Sequence, residues 1–207
     1  MKNKLFKFVF CSICVALFFS LDFLSIKVGP FKFTVSGIAI IVVSLYYGPI
    51  EGSIVGLLGS FIGQLLNGYG LTPTTILWVL PAFVRGLYIG LFNLDKKLVD
   101  KKWKYVIVLI TSALIVTLLN TVTLYVDSKM FGYYTKELVF GSLIYRILSS
   151  LIICILYIVV CPSIVRALRF VNNKEFSNSN ESFIEESNIN SKTRTILHRE
   201  SRHSLKK

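Results

Sequence analysis

The sequence predicts an all-α membrane protein, a bundle of six transmembrane helices with the N- and C-termini both on the cytoplasmic side. The first observation behind this is composition. Of 207 residues, 54% are hydrophobic, and mean hydropathy is +0.66, more apolar surface than a soluble domain of this length can cover with polar groups. The second is distribution: apolar stretches near 20 residues pass with one charge or none, the length a helix needs to cross about 30 Å of hydrocarbon. The third is a set of small residues repeated every four positions inside those stretches, the pattern by which helices pack closely where no water drives them together.

The first span is placed at Leu5 to Ile26. Basic residues (Lys2, Lys4, Lys7) precede it as they precede an export signal, but the apolar run continues without a convincing small-residue cleavage site, so it is read as a membrane helix. Span 2, Thr34 to Tyr47, is short, and Tyr46-Tyr47-Gly48-Pro49 marks a tight turn before span 3, Ile50 to Leu66. Spans 4, 5 and 6 follow at Thr75 to Leu94, Trp103 to Val126 and Ser142 to Leu168. The membrane domain is thus residues 1–170. From Val171 the chain turns polar, rich in Ser, Asn, Glu and Lys, and residues 171–207 are expected to be a disordered cytoplasmic tail.

Orientation follows from Lys and Arg. With the N-terminus inside, the inner segments hold Lys2, Lys4, Lys7, Lys96, Lys97, Lys101, Lys102, Lys104, Arg166, Arg169 and Lys174, against Lys27, Lys32, Lys129 and Lys136 outside. Three loops then face outward, at Lys27 to Phe33, Asn67 to Thr74 and Asp127 to Gly141. The second, with two glycines and a proline, has the composition of a lid. The net charge of +12 is taken up in this membrane-flanking role, which removes the reason to expect nucleic acid. Cys11, Cys14, Cys154 and Cys161 fall inside apolar helices and His198 and His203 in the tail, so no metal site, cofactor or catalytic nucleophile is expected. No GxxxxGK[ST] loop is present, so any ATP-driven work requires another chain.

Charges and small residues inside the spans carry the functional expectations. Arg85 lies about 15 Å into span 4, near the bilayer centre, where a charge costs several kcal/mol unless it meets a partner or water. Trp78 shares its face two turns away, which is expected to place an aromatic plane above the cation. Arg146 shares a stripe of span 6 with Ser150 and Tyr157, and span 5 offers Thr117 and Asn120. Together these form an outward-facing pocket with cations for a carboxylate and aromatic or amide groups for a flat heterocycle. Asp22 provides the competing reading, in which it neutralises one arginine while the other snorkels to the surface. The small-residue rows Gly48/Gly52/Gly56/Ser60 and Gly86/Gly90 read as packing inside the bundle; Ser12, Ala16 and Ser20 on span 1 serve either that purpose or a partner subunit.

FLSIKVGPFKF (Phe23 to Phe33), YYGPIEGSIVGLLGSFIGQLL (Tyr46 to Leu66), LTPTTILWVLPAFVRGLYIGLF (Leu71 to Phe92) and, more weakly, YRILSSLI (Tyr145 to Ile152) resemble the S components of energy-coupling-factor (ECF) vitamin transporters, most nearly the folate-type branch. The resemblance spans about residues 5 to 170. It implies a substrate-capture subunit in the bacterial plasma membrane, non-catalytic and without cofactor, that binds a vitamin, here folate or a related compound. Delivery would then depend on a transmembrane coupling subunit and two cytoplasmic ATPases. It further implies substrate binding by Trp78 and Arg85, with Asn120, Arg146 and Lys32 adding polar and cationic contacts, and partner binding by the small-residue row at Ser12, Ala16 and Ser20, where serine stands in place of the more usual alanine. The alternative from another class is a non-transport scaffold of a cell-wall assembly complex, which needs no enclosed polar pocket.

Overall fold

The computed structural model describes residues 2–28, 31–66, 71–171 and 174. The helices are α1 (Lys2–Phe23), α2 (Gly37–Tyr46), α3 (Pro49–Leu66), α4 (Thr75–Phe92), α5 (Lys102–Met130) and α6 (Glu137–Val171). Two three-residue strands, β1 (Ile26–Val28) and β2 (Phe31–Phe33), pair antiparallel between α1 and α2. The chain divides into two compact units, Met1–Val165 and Arg166–Lys207. Of the second, the described residues 166–171 and 174 are helical, and the expected disordered tail otherwise lies outside the described residues.

Among the described residues, five helices are long and apolar enough to cross a membrane; α2, with ten residues, is not. At 1.5 Å per residue it is only about 15 Å long, half the hydrocarbon thickness. Its sequence GIAIIVVSLY has no polar face, and eight of its ten residues are buried, so neighbouring helices rather than lipid surround it. The turn expected at Tyr47-Gly48-Pro49 is present: Gly48 takes φ of +128°, a conformation open to glycine, and proline then starts α3 where its missing N–H is not needed.

The small-residue rows of α3 and α4 face each other. A Cβ on Gly56 would lie 2.5 Å from the Ala82 carbonyl oxygen, one on Gly86 would strike the backbone of Gly52 and Ser53, and one on Gly90 would strike Pro49. Ser44 of α2 closes this seam by donating from Oγ to the Gly86 carbonyl, 3.1 Å away. The proline inside α4 is accommodated by a neighbour as well. Pro81 cannot donate to the carbonyl four residues back; the Thr123 hydroxyl of α5 donates to that carbonyl, on Leu77, at 3.1 Å. In a medium without water, such substitution by a side chain keeps a broken helix viable.

Helix α1 stands at the edge. It buries far less of its length than α5 does, because a single stripe, Cys14 and Phe18 with Phe10, Cys11 and Val15 beside them, packs on α2 and α3. Phe18 fills the space left by Gly59, and Lys7 pairs with Glu51 at the other end of the contact.

Candidate functional site

A cavity of about 530 Å³ lies inside the first unit, lined by residues of all six helices and of the segment that leads into α2. Trp78, Arg85, Asn120 and Arg146 all line it. The wall from α4 is a stripe at helical spacing, Trp78, Pro81, Ala82 and Arg85, which the 3.6-residue repeat brings to one face. α5 contributes Val116, Thr117 and Asn120, and α6 contributes Arg146, Ser149, Ser150, Ile153 and Tyr157. Lys32 lies in β2, and its side chain is outside the described residues. Residues 67–70, half of the expected lid, also lie outside the described residues.

The aromatic partner of Arg85 differs from the one expected. Its guanidinium carbon stands 5.9 Å from the ring centre of Tyr157, on α6, where the negative face of a π-system attracts a cation. The Tyr157 hydroxyl donates to the Thr34 carbonyl at 3.1 Å. This crowded junction depends on Gly37: a Cβ there would come within 2.5 Å of Arg85 Nη1 and 2.6 Å of the Tyr157 hydroxyl. Arg85 Nε is buried with no hydrogen-bond acceptor among the described residues. Asp22 lines the same cavity, yet among the described residues it forms no ion pair with Arg85 or Arg146. The expected alternative, neutralisation of one arginine by Asp22, is therefore not realised. Two guanidinium groups and one carboxylate face the cavity without mutual pairing, leaving a net positive lining.

Trp78 turns its polar edge elsewhere. Its Nε1–H donates to Asp127 Oδ1 at 3.4 Å, and the Thr74 hydroxyl donates to the same oxygen at 2.5 Å. The Tyr133 hydroxyl donates to the other carboxylate oxygen. The Thr72-Pro73-Thr74-Thr75 stretch is itself knitted at the start of α4, with the Thr72 N–H donating to Thr75 Oγ1 at 3.0 Å.

Sequence reasoning missed Gln64 and Ser60 of α3, Ser36 and Thr34 ahead of α2, and Phe18 of α1 as lining residues. Gln64 had a signal, being a polar residue in an apolar span; Phe18 had none, since an aromatic in a membrane helix is ordinary. Ser12, Ala16 and Ser20, by contrast, are all exposed on α1, away from the cavity.

A multi-helix apolar bundle that surrounds a cavity lined by two arginines and several hydroxyl and amide groups has the architecture of a membrane-embedded binding protein. The chain belongs to the ECF-type riboflavin transporter S component family, whose model matches residues 2–168. It is accordingly an integral, multi-pass plasma-membrane protein of a class of non-catalytic, substrate-binding transport subunits. Among solved structures it is similar to an S component for biotin from an ECF-type ABC transporter, with a TM-score of 0.57 and 22% identity over 81% of this chain and 93% of that one. It is also similar to ThiT from Listeria monocytogenes, with a TM-score of 0.51 and 19% identity over 83% of this chain and 97% of that one. At these identities the likeness is one of fold. UPF0397 proteins of Aliivibrio fischeri (strain MJ11) and Streptococcus pneumoniae serotype 19F are 38% identical over 65 residues and 36% identical over 67, or 28% and 31% of this chain. The chain spans about a third of the length of these relatives, 34% and 35%.

Proposed function

We propose that this chain is the substrate-capture subunit of an ATP-driven ECF vitamin importer and that its cargo, a flat heterocyclic vitamin, occupies the cavity between Trp78, Arg85, Asn120 and Arg146. The observation that carries the reading is a cationic lining without a carboxylate partner among the described residues: Arg85 and Arg146 face one cavity, and Arg85 Nε is buried without an acceptor from those residues. A guanidinium inside a membrane-spanning helix is costly to keep unless something uses it, and a planar cation with several donors is suited to an anionic or carbonyl-bearing ligand. The two arginines favour folate, whose glutamate arm is anionic. The hydroxyl and amide lining of Ser60, Gln64, Thr117 and Asn120 suits riboflavin equally, the vitamin in the family's own description. Lys32, in β2 ahead of α2, is assigned as a further cationic contact for the same cargo.

The exposed row Ser12, Ala16 and Ser20 is the docking face for a transmembrane coupling subunit, itself carried by two cytoplasmic ATPases. Small residues let the partner's backbone approach closely. The excess of Lys and Arg in the N-terminal, 96–104 and 166–174 segments supports an N-in, C-in orientation, so that capture occurs outside and release inside. A cell-wall scaffold draws no support from the family match, and it gives no reason for two arginines without a carboxylate partner around one cavity.

The test is a thermal-shift screen of the purified chain against folate, riboflavin, biotin and thiamine, since a ligand that binds only the folded state raises apparent stability by mass action. A shift with folate or riboflavin alone identifies the cargo, and silence with every vitamin would sink the capture reading. Arg85→Ala is expected to weaken binding of the shifting vitamin at least tenfold, about 1.4 kcal/mol, while leaving the ligand-free midpoint near that of the parent. Unchanged affinity would remove Arg85 from the site.

A further inference from the structure

We propose that Asp127 is a positioning residue of the cavity: its carboxylate holds the Trp78 ring as a fixed wall and ties that wall to the segment joining α5 to α6. Asp127 lies three residues before the end of α5. On its two oxygens converge donors from three places in the chain: the Thr74 hydroxyl at the start of α4, the Trp78 indole N–H one turn further along α4, and the Tyr133 hydroxyl just beyond α5. Indole has one donor and no acceptor. With that donor committed to Asp127 Oδ1, the ring's rotation about its own axes is restricted and its apolar body is presented to the cavity, next to Pro81, Ala82 and Arg85.

The chemistry of the acceptor matters. Thr74 and Trp78 address the same oxygen, and an ionised carboxylate accepts both more strongly than a neutral group does. The third donor gives the cluster a further property. Tyr133 belongs to the 131–136 connection, where Gly132 takes φ of +76° and so bends the chain back toward the helix end. Displacement of this connection removes one donor from the carboxylate that holds Trp78, so the connection's position and the ring's orientation are linked through one residue. The Lys129 ammonium, 5.0 Å and 5.7 Å from the ring centres of Tyr125 and Tyr134, secures the same connection from the neighbouring turn without using the carboxylate.

The test uses the full chain in detergent with Trp103→Phe. The sequence has two tryptophans, so emission then reports Trp78 alone. Asp127→Ala is expected to shift Trp78 emission and to raise its quenching by acrylamide at least twofold in the ligand-free protein, with Asp127→Asn, which keeps an oxygen acceptor, intermediate. Emission and quenching identical to the parent in either variant would overturn the assignment; should the alanine variant not fold, the asparagine variant alone decides. A purely structural role would lower the melting point without moving this signal selectively. The ligand arm, which rests on the capture reading, follows riboflavin through its own fluorescence: affinity is expected to fall at least tenfold in Asp127→Ala and less in Asp127→Asn. If the parent chain does not bind riboflavin, that cargo is lost, while the ligand-free emission still decides the role of Asp127.

Discussion

Helices α1 and α3 carry the same sequence signal and put it to opposite use. On α3, Gly52 and Gly56 are buried, and α4 comes so close that a methyl group on Gly86 would strike the Gly52 backbone and one on Gly56 the Ala82 backbone. On α1, Ser12, Ala16 and Ser20 are exposed, and the serine hydroxyls donate back to their own helix, to Phe8 and Ala16 carbonyls at 3.0 and 2.9 Å. Ser44, in the buried seam, donates to its own helix and also across to Gly86. Small residues four apart state that a backbone can come close; they do not state whose. The difference lies in the rest of the helix. α3 has glycine on two adjacent rows, so neighbours reach it from more than one side, whereas α1 buries one stripe of larger residues and leaves the small row outside.

The contrast breaks most sharply at Gly86. Gly86→Val places carbon atoms where the Gly52 carbonyl and the Ser53 nitrogen already stand, so α3 and α4 must separate along the seam. Overpacking of this kind costs about 3 kcal/mol or more when the obstacle is backbone that cannot rotate away. The expected result is a large fall in the detergent melting midpoint, or no folded protein. A midpoint equal to the parent's would mean that the seam is looser than the close approach of these backbones implies.

A smaller difference separates the serines. Ser44→Ala removes a hydrogen bond between helices, which in membrane proteins is worth about 0.6 kcal/mol on average, whereas Ser20→Ala removes only a bond to its own helix. A measurable fall in chemical or thermal stability is expected for the first and a change within about 0.5 kcal/mol for the second. Equal effects would show that the cross-helix geometry of Ser44 adds nothing to its local bond.

The membrane architecture was legible because lipid imposes it: every apolar run long enough to cross must be helical, and the helices fall within a few residues of their expected bounds. The burial of α2 was not legible in its sequence, because a ten-residue apolar helix reads the same whether lipid or protein surrounds it; only its length hinted at the answer. The cavity was legible within each helix and illegible between helices. Trp78 and Arg85 share a face by arithmetic, and so do Arg146, Ser150 and Tyr157, but periodicity holds no information on which stripe opposes which. That is why Arg85 was assigned Trp78 as its aromatic neighbour when Tyr157, 72 positions away, takes that place. It is also why nothing in the sequence marks Asp127, at the start of an expected loop, as the residue on which three donors meet.

The least visible change in the isolated chain is expected at Ala16, and its invisibility is the point. Ala16→Leu adds bulk to a face that no other helix among the described residues covers, so the melting midpoint and the vitamin-induced shift should match those of the parent. Leucine is also a good helix former, which removes a local reason for instability. If the row is the docking face, the same substitution keeps a partner's backbone from coming close, and vitamin uptake by cells expressing the chain with its coupling subunit should fall at least tenfold. Full uptake would place the partner on another surface. A fall in midpoint like that of Gly86→Val would instead erase the contrast with α3, because it would mean that the row on α1 is packed within the chain after all.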